Sequence, residues 1–163
     1  HLDVLKIATS REISNDAMDL ALMINDNTVF DTTGVALKAY SKAELLLIQN
    51  RQDQALAKLD SLEKAIVDKS LTDEIYWLRA KIFKSRRQWQ PTLDNYKRLI
   101  ESYSEGLYGD DALYFSALIY EEELGEKEKA MELYTEFLKK HPGSIYLVEV
   151  RKRFRKLRGD EVN

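Results

Sequence analysis

The sequence predicts an all-α solenoid of stacked, antiparallel helix pairs, and three observations carry that expectation. Ala43, Ala80 and Ala117 stand 37 residues apart twice over; Tyr40, Trp77 and Tyr114 keep the same interval three places upstream, and Leu46, Phe83 and Tyr120 three places downstream. Periodicity of ~20–50 residues marks repeat architectures in which each unit buries its apolar face only against its neighbours. Within each period the apolar residues recur three and four apart, which is one face of a helix. Two prolines and six glycines in 163 residues favour long regular elements over a loop-rich β fold.

The elements follow in chain order. Ile13, Ala17, Leu20 and Ile24 form one face of a helix over about residues 13–25, with Ser14, Asn15 and Asp16 as candidate caps. A polar linker rich in Asn, Asp and Thr then runs to Gly34, so residues 1–35 read as a partial repeat and its linker. The first full unit spans residues 36–70: Ala39, Ala43, Leu46 and Leu47 on one helix, a polar break at Asn50-Arg51-Gln52-Asp53, then Ala55, Leu56, Leu59, Leu62 and Ile66 on the next. The second spans residues 73–106, with Tyr76, Ala80 and Phe83 before a turn at Ser85-Arg86-Arg87-Gln88 and Thr92, Leu93, Tyr96, Leu99 and Ile100 after it. Pro91 suits the first turn of that second helix, where its missing N–H is not needed. The third spans residues 110–143: Leu113, Ala117 and Tyr120, a stop at Gly125, then Ala130, Tyr134, Phe137 and Leu138 up to Pro142-Gly143. Gly125 is placed as a left-handed helix terminator. Residues 144–163 read as a capping helix, over about 144–158, and a tail. Its stripe is Leu147, Val150, Phe154 and Leu157, with a basic opposite face and Phe154 in register with the recurrent alanines.

Composition narrows the class. Apolar residues make up 44% and charged residues 33%, a globular balance, and no apolar run is long enough to span a membrane. The absence of cysteine removes disulfides, thiolate metal sites and cysteine nucleophiles without deciding the compartment. His1 in place of an initiating methionine suggests a mature or excised C-terminal portion of something longer. The net charge of −3 conceals alternating blocks: residues 79–98 hold seven bases and one acid, 101–150 hold twelve acids and four lysines, and 151–163 hold six bases and two acids. Attraction between neighbouring repeats is the simplest account of that alternation.

The third unit carries the resemblance to a known family. Ala117, Tyr120, Leu124-Gly125, Ala130, Tyr134 and Pro142 resemble the tetratricopeptide repeat. The second unit keeps Ala80, Phe83, Trp89 and Tyr96 but has Thr92 for the usual alanine and Ser104 for the proline. The first keeps Ala43 and Ala55, with aliphatic residues at the aromatic positions. The longer period adds residues mainly between repeats, and the third unit has one more before Gly125, so Ala130 falls 38 residues after Thr92. The resemblance implies a right-handed solenoid with a C-terminal cap, acting as a non-enzymatic scaffold for a protein or peptide. Linkers 102–113 and 141–144 are also similar to those of bacterial cell-envelope repeat proteins. That implies a periplasmic or membrane-associated setting, with the cytoplasm as the alternative.

By the same resemblance, Tyr40, Trp77 and Tyr114 face a concave groove, flanked by Glu44, Leu47, Lys81, Lys84, Leu118 and Glu121. Their competing role is to pack between adjacent first helices and form only the groove floor.

Other constellations point to ordinary surface. Glu121-Glu122-Glu123 and Asp110-Asp111 are consecutive on helices, so their carboxylates diverge and do not form an acid–base pair. Arg151, Lys152, Arg153, Arg155, Lys156 and Arg158 could meet nucleic acid or an anionic membrane, but a solvated terminal helix contacting the acidic third repeat explains them more simply. Arg158-Gly159-Asp160 spells an adhesion tripeptide that recurs by chance. With His1 and His141 as the histidines, no zinc site is expected, and no phosphate loop or catalytic motif is present. No cofactor is expected. Two further function classes stand beside the groove: an architectural segment that extends a larger solenoid or self-associates through its ends, where Ile13 and Leu20 lie, and an adaptor for anionic surfaces through the last helix.

Overall fold

The computed structural model describes residues 32–66 and 71–160, and all regular structure there is helical. Helix α1 (Thr32–Ile48) packs on α2 (Gln52–Ala65), and α3 (Thr72–Ser85) precedes α4 (Trp89–Ser102). Helix α5 (Gly109–Leu118) runs on through a π-helical turn, Ile119–Glu123, and packs on α6 (Lys127–Lys140), which in turn packs on α7 (Leu147–Arg158). This is the expected all-α architecture of successive helix pairs. The expected helix over 13–25, most of the linker after it, residues 67–70 and the last three residues lie outside the described part.

The chain divides into two compact units, residues 1–82 and 83–163. In the first, Ala43, Ala55, Leu59, Leu62, Ile75 and Ile82 are fully buried in one cluster, with Tyr40 and Leu78 beside them. Each branched side chain taken wholly out of water stabilises by roughly 1.5–3 kcal/mol. Arg79 of α3, 8% exposed, is seated on two carboxylates of α2: its guanidinium donates to Asp60 and Glu63, each at 2.5 Å, and Tyr76 donates to Glu63 at 3.0 Å. In the second unit Leu113, Ala117, Ala130, Tyr134, Phe137 and Val150 form the core. Thr92, where the repeat pattern has alanine, is fully buried and donates its hydroxyl to the Gln88 carbonyl at 2.8 Å, so the extra polar atom is satisfied.

The intra-repeat turns share one chemistry. Asn50 and Arg87 have φ of +59° and +56°, and Gly125 has +67°. Around the first two, the bonds Asn50 N–H to Leu47 O with Arg51 N–H to Leu46 O, and Arg87 N–H to Lys84 O with Gln88 N–H to Phe83 O, form the Schellman pattern. At Gly125 the closing bond runs from Glu126 N–H to Tyr120 O, one residue longer. The extra residue of the third repeat is taken up before it, where Leu124 N–H reaches back five residues to Ile119 O.

Three expected boundaries move. Helix α1 starts at Thr32, so Gly34 lies in its first turn and not in a linker; first-turn N–H groups have no intrahelical partner, and glycine costs least there. Helix α7 starts at Leu147, since Leu147 N–H closes a tight turn on Ser144 O. Gly109 opens α5 within touching distance of the preceding loop: a Cβ there would sit 2.1 Å from the Ser104 carbonyl oxygen.

Candidate functional site

On α1, Leu37, Ser41, Glu44 and Ile48 follow one another at helical spacing and all are exposed, Leu37 at 51% and Ile48 at 81%. Leu45, 52% exposed, extends this strip on one side; Tyr40, buried, and Leu47, half-buried, border it on the other. An exposed carboxylate between aliphatic side chains can meet both an apolar anchor and a cation of a partner. On α3 of the same unit, Trp77 is half-buried and Lys81 is exposed.

In the second unit Tyr114 is 8% exposed and lies flat against Tyr146, ring centroids 4.2 Å apart at 14°. Phe115 sits 5.3 Å from Tyr114 and 5.9 Å from Tyr146, and the half-buried Lys84 ammonium lies 3.8 Å over its face. Burial holds the Lys84 pKa below the usual lysine range, and the ring quadrupole supplies part of the lost hydration. Tyr146 donates to Asp111 at 2.6 Å; that bond, with burial, pushes its phenol up to about 12.

Leu118 packs on the core of this unit. Glu121 accepts from Tyr134 at 2.5 Å and from Arg153 of α7 at 3.2 Å, while Arg153 also reaches Glu122 at 2.6 Å and Glu149 at 2.8 Å. Burial opposes the charge of Arg153, but hydrogen bonds to Glu122 and Glu121 outweigh it and hold the guanidinium above its usual range. Beside this node lies a charged cleft of about 570 Å³ between the π turn, the start of α6 and α7. A second cleft, about 560 Å³, has Leu93, Ile100, Tyr120 and Leu133 in its floor and a polar rim.

A model of the tetratricopeptide repeat family matches residues 111–144. The match runs from the first turn of α5 through the π turn and α6, and so covers the third unit. No curated protein matches the chain. Within the matched repeat Tyr114, Leu118 and Glu121 all lie on the first helix or its π turn, as the resemblance implied, but intramolecular partners occupy much of Tyr114 and Glu121.

The nine residues singled out in the sequence therefore separate into three groups. Glu44, Leu47, Lys81 and Trp77 retain exposed surface; Tyr40 and Tyr114 are core; Lys84, Leu118 and Glu121 are engaged inside the second unit. Sequence reasoning missed Leu37 and Ile48, which lie on the exposed side of α1, and Tyr146, whose partner Asp111 is 35 residues away. Arg153 belongs to the basic cluster expected to contact the acidic third repeat, and it pairs there with Glu121 and Glu122. For Arg153 the sole local clue is Glu149 four residues earlier.

Proposed function

We propose that this chain is a non-enzymatic scaffold that holds a protein or peptide segment on the face presented by the first helices of its repeats. Family likeness of the third unit supports an interaction module. The observation that carries the reading is the exposed strip on α1, where Leu37, Leu45 and Ile48 leave large aliphatic groups in water around Glu44. Contiguous exposed apolar surface on a folded chain is characteristic of association sites. The linker likeness to bacterial cell-envelope repeat proteins suits a client met in that compartment.

An architectural role uses the same strip: α1 then packs on another helical element, and association is with a further copy or domain. One experiment separates the two. A peptide is selected from a displayed library against the full chain, and a photo-reactive residue is placed at position 48 or 77, with position 139 as control. Crosslinking of the peptide from 48 and 77, with none from 139, supports the scaffold. Copy-to-copy crosslinks from 48, with no peptide adduct, support the architectural role.

A further inference from the structure

We infer that the outer face of α7 is a peripheral docking surface for an anionic phospholipid bilayer. Helix α7 has two unlike sides. Val150, Phe154 and Leu157 turn inward, and Arg153 is spent on Glu121, Glu122 and Glu149. The other side is a single line at helical spacing: Ile145 in the turn just before the helix, then Val148, Lys152 and Arg155, with Arg151 and Lys156 on its flanks.

Ile145 is 86% exposed and Val148 77%, among the most solvated aliphatic side chains of the described residues. Arg151, Lys152, Arg155 and Lys156 have no carboxylate within ion-pair distance among the described residues, although the chain as a whole is acidic. The face is thus four cations outside the ion pairs of α7 behind an aliphatic tip, with Lys152 and Lys156 toward its inner flank, where they also line the charged cleft beside Glu121, Glu122 and Glu149.

The shape and chemistry select the occupant. A peptide would need its anchors gathered in one concavity, and the cleft beside Lys152 and Lys156 contains neither Ile145 nor Val148 and is itself lined by Glu121, Glu122 and Glu149, which repel an acidic segment. Nucleic acid is read by cations interleaved with aromatic rings, and no aromatic side chain lies on this line. A flat anionic lipid surface meets all the features together: long basic side chains reach headgroup phosphates, and the two aliphatic groups enter the interface beside them. The face is held outward firmly, because Ser144 donates to Asp110 at 2.6 Å and Tyr146 to Asp111.

The test uses the full chain and vesicles of phosphatidylcholine alone or with about 30% phosphatidylglycerol, at about 0.1 M salt. Co-sedimentation is expected with the anionic vesicles and not with the neutral ones, with loss at about 0.5 M salt. Each cation near such a surface contributes roughly a fivefold gain in partitioning, so Lys152→Glu combined with Arg155→Glu should lower it by at least ~25-fold. Ile145→Ser with Val148→Ser should lower it several-fold while leaving the salt dependence unchanged. These side chains are exposed, so both variants should keep the parent's circular dichroism. The chain has no native cysteine, so a Val148→Cys variant can carry one environment-sensitive dye; its emission should shift to the blue on anionic vesicles, and a dye at Lys129→Cys should not. Equal binding to neutral vesicles, no binding at low salt, or full binding by the charge-reversed variant each overturns the proposal. Self-association abolished by the charge reversal, without vesicle binding, overturns it in favour of a second copy as the occupant.

Discussion

Arg87 carries a conformation that glycine would adopt more cheaply. Its φ of +56° costs an L-residue roughly 1 kcal/mol, and the third repeat uses Gly125 at the equivalent turn. The compensating contacts are weak, an exposed pair with Glu123 at 3.0 Å and a guanidinium 5.8 Å from the Trp89 ring. Arg87→Gly should therefore raise stability by about 0.5 kcal/mol in a denaturant melt. A loss of that size would mean the Arg87 side chain holds the turn. Glu74 is the other residue under tension. One of its oxygens is buried without a hydrogen-bond partner, and burial, then the neighbouring Asp73 carboxyl, raises its pKa from 4.5 to about 7. The folded state thus binds this proton more tightly than the unfolded chain. Its contribution is fully present below about pH 4.5 and is lost as pH rises through about 7. Glu74→Gln should raise Tm near pH 8 and leave it little changed near pH 5. The reverse pattern would place the carboxylate in a favourable site.

At the scale of elements, the sequence was most informative about where helices stop. Asn50-Arg51, Arg86-Arg87, Gly125 and Pro142-Gly143 each end a helix in the structure, because turn residues act locally. The surplus residue of the third repeat was countable, but its form was not. A loop or a bulge would absorb it equally well in sequence, and core packing of Ala117 and Ile119 on one side with Tyr120 holding Glu126 on the other selects the π turn. The close approach of Gly109 to Ser104 was likewise hidden, since it depends on the path of the loop between them. Gly109→Ala should cost about 2 kcal/mol or more, as overpacking against backbone does, read by chemical melting. An unchanged midpoint would show that the loop yields. Beside the apolar contacts of Val150, Phe154 and Leu157, Arg153 and Tyr146 tie α7 to the third repeat. Arg153→Ala leaves Glu121 half-buried with one donor fewer, and a loss of about 1–2 kcal/mol is expected.

Across the whole molecule, the recurrent alanines are the most legible feature. Ala43, Ala80 and Ala117 are each fully buried. Ala80→Leu should destabilise by roughly 1–3 kcal/mol; an unshifted melt would contradict the repeat register. The groove residues were less legible, because the same aromatic at a repeated position serves as core or as contact depending on which later element covers it. Tyr114 lies beneath Tyr146, a residue outside the apolar stripe of the last helix. The exposed strip on α1 was hidden for a related reason: its leucines and isoleucine surround the helix and obscure which side faces water.

The most direct test of the scaffold is a binding titration paired with a melting curve, made with a display-selected peptide on the parent chain, Ile48→Asp and Trp77→Ala. Both variants should weaken binding by about 2 kcal/mol or more while keeping the helical content of the parent, since binding concentrates in a few apolar and aromatic anchors. Undiminished affinity in both, with Trp77→Ala melting many degrees lower, would assign Trp77 to the core and remove the first-helix face as the binding surface.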